Sequence, residues 1–302
     1  MARIPRMTPQ GDMLIDMERI GLHQVPERLF FWTSDRTPVD MKDWYRGTRG
    51  FLVCNGPSLV THDLSLLKKR GVLTMGMNNG WAPHIPNLWV GNDHPGRFCD
   101  DGWRDPTILK FTPAEHLQTP TSMLHRRLPN GTFKQLPQRT DQMPNILYFI
   151  RNQKFEPSTF LTAGAICYGR SARWHDNVRP SGVSTMLQAI RIMYHLGIRT
   201  IFLLGADFKM VGTAEQNPGN YAFEQMRTQR AVDNNNRMYE MMNWMFADLA
   251  PMFKLANLSV WNCTPNSGLQ TFPHMPYLDA VTSCILPDLV TDGWYSNERN
   301  PT

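Results

Sequence analysis

At 302 residues, with 41% hydrophobic and 19% charged side chains, the chain can bury a sizeable core, which excludes a globally disordered protein. A formal net charge of +5 and a pI near 9.0 suit a polyanionic partner, DNA or a phosphorylated donor, although no dense Lys/Arg block is present. The five cysteines, Cys54, Cys99, Cys167, Cys263 and Cys284, are odd in number and lack CxxC or Cys/His ligand spacing. They read as free thiols in a reducing cytosol, with no structural metal. No stretch reaches the roughly 18 apolar residues of a membrane span. Met1-Ala2-Arg3-Ile4-Pro5-Arg6 opens no apolar run of signal length. A cytoplasmic location is therefore expected.

In chain order, residues 1–48 read as an irregular N-terminal arm whose apolar stretch Leu29-Phe30-Phe31-Trp32 packs on the body. A single α/β domain is expected over 49–290, followed by a tail at 291–302. Its apolar runs are Phe51-Leu52-Val53-Cys54, Val72-Leu73-Thr74-Met75-Gly76-Met77, Asn87-Leu88-Trp89-Val90 and Thr107-Ile108-Leu109-Lys110-Phe111. Runs of this length, with a helix at 63–69 stopped by Gly71, predict a mostly parallel sheet covered on both faces, a Rossmann-like fold.

Residues 112–180 turn rich in Pro, Gln, Thr, Arg and Asn and read as a lid-like insertion. Within it, His125-Arg126-Arg127 with Lys134 and Arg139 is either a solvated face or a phosphate-contacting arm. Apolar positions 183, 186, 187, 190, 193 and 194 give helical spacing ended by Gly197. A buried strand follows at Thr200-Ile201-Phe202-Leu203-Leu204, then a long helix over roughly 228–250. Its methionine-rich stretch 238–246 reads as a core-facing side. A last strand at Leu258-Ser259-Val260-Trp261-Asn262 precedes an irregular end beyond 270.

Ligands of open parallel sheets sit beyond the carboxyl ends of the strands. Those ends here carry Asn55-Gly56-Pro57-Ser58, Asn78-Asn79-Gly80, Asn92-Asp93-His94-Pro95, Gly205-Ala206-Asp207 and Thr264-Pro265-Asn266-Ser267. Gly56 lets backbone N–H groups approach a phosphate. Ser58 can cap a helix or bond a phosphate oxygen, and the Asn55 amide can both donate and accept. Arg179-Pro180-Ser181-Gly182 precedes the helix at 183 and offers it either an N-cap or an anion site. The chain has no GxGxxG, GxxxxGK[ST], GxSxG, HExxH or DxD. Nicotinamide or flavin chemistry, P-loop phosphoryl transfer and a metal-dependent transferase are thereby disfavoured, and no cofactor is expected.

Val53-Cys54-Asn55-Gly56-Pro57-Ser58-Leu59 resembles the GNGPSL loop of the family-42 bacterial sialyltransferases and of 6-hydroxymethylpterin diphosphokinase-like proteins. Asn78, Asn92, Ser181-Gly182, Leu204-Gly205-Ala206-Asp207-Phe208, Tyr221-Ala222-Phe223 and Pro265-Asn266-Ser267 resemble further motifs of that family in the same order, over roughly 51–270. The resemblance implies a Rossmann-like fold and a nucleotide-sugar donor. By carry-over, Asn55, Ser58, Asn78, Ser181, Gly182 and Asp207 would line the nucleotide site, and Gly56, Pro57, Asn92, Arg179, Asn266 and Ser267 join them as donor-site candidates. Tyr221 would approach the donor phosphate as the leaving group departs.

Two departures follow. The family's histidine base has no counterpart in 227–234, which leaves Asp233, His94 or Asp93 as candidate bases. Lys209 replaces a tyrosine and could neutralise a second phosphate, as a nucleoside diphosphate donor would require. The expected activity is transfer of a sugar to a hydroxyl of a glycan, a small molecule or a hydroxymethylated DNA base. The last would be flipped from the duplex, with Trp81, Trp103 and Trp174 as candidate aromatic contacts. Two alternatives stay open: a magnesium-dependent diphosphokinase using Asp93, Asp100, Asp101 and Asp207, and a non-catalytic nucleotide- or DNA-binding module.

Overall fold

A computed structural model describes residues 17–98, 100–122, 125–127, 133–135, 138–151, 155–167, 184–211, 220–222 and 229–286. The strands are β1 (Phe31–Trp32), β2 (Pro38–Val39), β3 (Arg49–Val53), β4 (Leu73–Met77), β5 (Leu88–Val90), β6 (Leu109–Pro113), β7 (His125–Arg127), β8 (Phe133–Gln135), β9 (Ile146–Phe149), β10 (Thr200–Leu204) and β11 (Ser259–Asn262). The helices are α1 (Asp100–Arg104), α2 (Thr185–His195), α3 (Gln229–Leu255) and α4 (Tyr277–Cys284). A nine-stranded sheet runs in the order β11-β10-β3-β4-β5-β6-β9-β1-β2. Every neighbour pair from β11 to β9 is parallel, and β1 and β2 add an antiparallel edge. This is the expected Rossmann-like α/β fold, with cover on both faces.

The chain lays β4, β5, β6 and β9 on one side of β3, then returns to place β10 against the other side. The strand order therefore reverses between β3 and β10, and a crevice opens there at the carboxyl ends. Side-chain alternation explains the layers. Leu52, Met75, Val90, Ile201 and Leu203 face a core shared with Ile190 and Met193 of α2 and with Met245, Phe246 and Leu249 of α3. Phe51, Val53, Phe202 and Leu204 face the opposite side, under Leu59, Leu67, Tyr277 and Val281. Farther along that side, Trp89 and Tyr148 pack with Trp81 and Trp103. These two tryptophans are core residues, and Trp174 lies outside the described residues.

The structure differs from the sequence reading in four places. The 63–69 segment is a 3-10 turn, Leu64–Lys68, started by the Asp63 carboxylate accepting from the Ser65 N–H at 3.0 Å. β9 is a strand of the main sheet within the stretch read as an insertion. Its short apolar run Ile146-Leu147-Tyr148-Phe149 is wholly buried, but polar neighbours mask the signal. β1 and β2 draw part of the N-terminal arm into the sheet. α4, beyond residue 270, covers one sheet face through Tyr277, Ala280 and Val281.

The basic stretch around 125–134 falls on a separate antiparallel ribbon of β7 and β8, and Arg139 pairs with Asp141 at 3.0 Å. Lys110 is fully buried, its ammonium donating to the backbone carbonyls of Asp105, Ile108 and Pro144 at 2.6–3.1 Å, which offsets the cost of burying the charge. Cys54, Cys167, Cys263 and Cys284 are buried and in no disulfide, and Cys99 lies outside the described residues. Among the described residues no helix is long and apolar enough to cross a membrane.

Trp89 ties this core to the sheet rim. Its ring stacks on Trp81 with centroids 4.4 Å apart, and its indole N–H donates to the Asn78 carbonyl at 2.7 Å. Trp89→Ala should cost about 3–5 kcal/mol, read as a lower urea midpoint at unchanged denaturant slope. An unchanged midpoint would contradict the packing described.

Candidate functional site

The rim is built at the switch point. The Cys54 N–H donates to the Leu204 carbonyl at 2.8 Å, and the Gly56 N–H to the Gly205 carbonyl at 2.9 Å, so the pairing of β3 with β10 continues past both strands. Gly56 has an ordinary extended backbone, and space is the reason for glycine here. A Cβ would stand 2.5 Å from the Gly205 carbonyl oxygen and collide with the Asp207 carboxylate. Gly205 itself adopts φ +70°, a region that favours glycine.

The Asp207 carboxylate accepts the Ser58 hydroxyl at 2.8 Å and lies 3.4 Å from the Ser58 backbone nitrogen. Burial raises its pKa above the ordinary carboxylate range, opposed by the Ser58 hydrogen bonds and by Lys209. Burial pushes the neighbouring Cys54 thiol up to about 12, so it stays a thiol rather than a nucleophilic thiolate.

Above this rim lies a cleft of about 640 Å³. Its floor is Asn55, Gly56, Pro57 and Asn78, with Asp207, Phe208 and Lys209 along one side. The N-terminus of α2 enters through Ser184, Thr185 and Met186. Ser184 caps that helix by accepting from the Leu187 N–H at 3.3 Å, and the Thr185 hydroxyl donates to the Asn78 side-chain oxygen at 3.3 Å. A capped helix start aims partial positive charge at the cleft. Asn78 adopts φ +52°, a conformation asparagine tolerates better than most residues. Ala231, Asn234, Asn235, Met238, Tyr239 and Met242 of α3 also line the cleft, as do Asn220 and Tyr221.

The structure thus brings Asn55, Gly56, Pro57, Asn78, Asp93, Asp207, Lys209 and Tyr221 to one cleft. Ser58 braces Asp207 from behind. Other candidates lie elsewhere. Asn92 turns inward, its side-chain oxygen accepting from Arg151 and its carbonyl 3.2 Å from the His116 ring. Arg151 also pairs with Glu115. Burial holds His116 down to about 4, so the neutral ring donates to that carbonyl.

His94 is exposed and absent from the cleft lining, and its Nδ1 accepts from the Gly96 N–H at 3.1 Å. Asp233 is exposed and bonds Gln229 at 2.9 Å. It lies off the face defined by 231, 234, 235, 238 and 242, because helical geometry turns it about 200° from residue 235. Asn266 and Ser267 support the Asp207 segment from outside. The Ser267 hydroxyl donates to the Ala206 carbonyl, and the Asn266 carbonyl accepts Lys209 at 2.8 Å. Arg179, Ser181 and Gly182 lie outside the described residues, and the cap on the described helix is Ser184.

Sequence reasoning missed Arg97, Ser184, Thr185, Asn220, Asn234, Asn235 and Tyr239. The run Asn234-Asn235-Asn236 inside a long helix was a usable signal, since asparagine is a poor helix former kept there at a cost in propensity. Of the carboxylates considered for magnesium, Asp93 and Asp207 line the cleft. No group of three or more His, Cys, Asp or Glu that could hold a metal occurs among the described residues.

No family model and no curated protein matches the chain. Two solved structures are similar to it. The MAf glycosyltransferase from Magnetospirillum magneticum AMB-1 is 12% identical, with a TM-score of 0.43, over 93% of this chain and 43% of that one. The sialyltransferase CstII from Campylobacter jejuni, in complex with the substrate analogue cytidine-5'-monophosphate, is 13% identical, with a TM-score of 0.36, over 76% of this chain and 85% of that one. The chain thus spans less than half the length of the MAf glycosyltransferase.

A half-buried carboxylate with a raised pKa disfavours its own charged form. Its destabilising contribution is absent below the unfolded pKa, grows as pH rises towards the folded one, and is constant above it. Asp207→Asn should therefore melt higher than the wild type at pH 7. The difference should shrink as pH falls through the range around the ordinary value of 3.8. Melting curves of both proteins against pH measure it, and a gap that widens in acid would contradict this account.

Proposed function

We propose that the chain is a glycosyltransferase that takes a sugar from a nucleotide-sugar donor and delivers it to a hydroxyl. One observation carries the reading. Polar residues spread from Asn55 to Tyr221 share one cleft at the strand-order reversal, where open α/β sheets bind phosphorylated ligands. The start of α2 supplies amide donors for phosphate. Asp207 can accept a ribose hydroxyl, and Asn55 and Asn78 can hydrogen-bond the nucleoside. Lys209, whose ammonium has donors beyond the one on Asn266, suits a second phosphate.

The acceptor hydroxyl attacks the anomeric carbon as the bond from that carbon to the phosphate oxygen breaks. Tyr221 donates a hydrogen bond to the departing phosphate, and the hydroxyl proton passes to a carboxylate. Asp93 is our choice for that base, since it faces the cleft from the third strand's loop whereas Asp233 and His94 do not. Its carboxylate pairs with Arg97 at 3.3 Å at an exposed position, open to an entering acceptor. Glycans, small molecules and hydroxymethylated DNA are the acceptors this chemistry admits.

The test incubates the full chain with a panel of nucleotide sugars and with ATP, in EDTA and in magnesium, and follows nucleotide release. Glycosyl transfer predicts release of nucleoside mono- or diphosphate in EDTA. Gly56→Val should lower that release by about a hundredfold or more, because a branched side chain there would occupy the space of the Asp207 carboxylate. AMP released from ATP only with magnesium would replace this reading with diphosphoryl transfer, and DNA binding without turnover of any donor would replace it with a binding module.

A further inference from the structure

The α3 side of the cleft carries amides and an aromatic ring beside Ala231, Met238 and Met242, and no charged side chain among the described lining residues. Asn234 and Asn235 of α3 face the cleft with Asn220, and Tyr239 stacks on Phe208 with ring centroids 5.0 Å apart at 28°. This wall is firmly held. The Asn236 amide grips the Met210 backbone at both ends, accepting its N–H at 2.8 Å and donating to its carbonyl at 3.1 Å. The Asn220 side-chain oxygen accepts the Val211 N–H at 2.8 Å. The segment carrying Asp207, Phe208 and Lys209 is thereby clamped to α3 and to Asn220.

From this wall we infer that the transferred sugar is uncharged and hydroxyl-rich, without a carboxylate; this rests on the glycosyltransferase reading above. A carboxamide carries two donors and one acceptor, which matches a hydroxyl that both gives and takes hydrogen bonds. A carboxylate only accepts, and it seeks cations. The cations among the described lining residues are Arg97, paired with the Asp93 carboxylate at 3.3 Å, and Lys209, which the reading above assigns to the donor's second phosphate. Asp93 and Asp207 share the cleft, so a sugar carboxylate would also meet like charge. The Phe208–Tyr239 pair offers an apolar face on which the C–H side of a pyranose ring can lie.

The test uses donors that differ only in the acid group: UDP-glucose against UDP-glucuronate, and GDP-mannose against GDP-mannuronate, with CMP-N-acetylneuraminate as a further acidic donor. Nucleotide release and thermal shift are measured on the full chain. The neutral member of a pair should be turned over about tenfold faster or more, the scale of one charge-assisted hydrogen bond. Asn234→Lys should move the neutral-to-acid ratio towards the acid donor by a similar factor, and Asn234→Asp should move it the other way.

Equal or faster turnover of the acidic member, turnover of CMP-N-acetylneuraminate alone, or a ratio unmoved by both substitutions would overturn the inference while leaving glycosyl transfer standing. Failure of every nucleotide and donor to bind or react would remove the glycosyltransferase reading, and the sugar assignment with it.

Discussion

The close meeting of β3 and β10 past their carboxyl ends is the constraint on which the rest depends. Two parallel strands that follow different chain directions away from their ends would normally diverge, leaving a hollow with no defined floor. Here the Gly56 N–H reaches the Gly205 carbonyl, and the Asp207 carboxylate folds back onto Ser58. The absence of a side chain at Gly56 is what permits both contacts. The floor of the cleft is therefore continuous with the sheet and inherits its rigidity, as a site requiring preorganised donors needs.

Around that floor the protein places charge sparingly. A helix N-terminus, the desolvated Asp207, Lys209 and the Asp93–Arg97 pair line the cleft, while α3 adds amides, an aromatic ring, alanine and methionines without a charge among the described lining residues. Desolvation raises Asp207 rather than leaving it a fully solvated anion, and the Ser58 hydrogen bonds oppose that rise. The same burial that sharpens its hydrogen bonding makes its charge costly, the usual trade between stability and a working site. Asn92, Arg151, His116 and Glu115 form a polar knot below the third loop and hold the backbone from which Asp93 projects.

Much of the sheet was legible because parallel strands buried on both faces write themselves as short apolar runs. Phe51 to Val53, Thr200 to Leu204 and the run ending at Val90 are such cases. β9 was not, since its apolar run sits in a polar, proline-rich stretch and its neighbours in space, β6 and β1, are remote in sequence. The turn at Leu64–Lys68 looked helical because one amphipathic turn has the same pattern whether it continues as α or closes as 3-10. In the site, motif order predicted Asn55, Asn78 and Asp207 together. It also nominated Asn92, whose side chain turns inward, and Asn266 and Ser267, which brace the Asp207 segment through a backbone carbonyl and a hydroxyl, because a motif specifies a position along the chain and not the direction a side chain takes.

The sequence by itself determined the fold class and the edge of the sheet where polar turns gather, since both follow from local patterning and from the chemistry of Gly, Asn, Ser and Asp at strand ends. Only the tertiary structure decided which of those turns share a cleft, that α3 lines it too, and that Asp93 rather than Asp233 or His94 does so. The physical reason is that side-chain direction depends on helix phase, on strand order and on contacts between residues far apart in the chain. Those contacts include Asp207 on Ser58, 149 positions away, and Thr185 on Asn78, 107 away, which no local window contains.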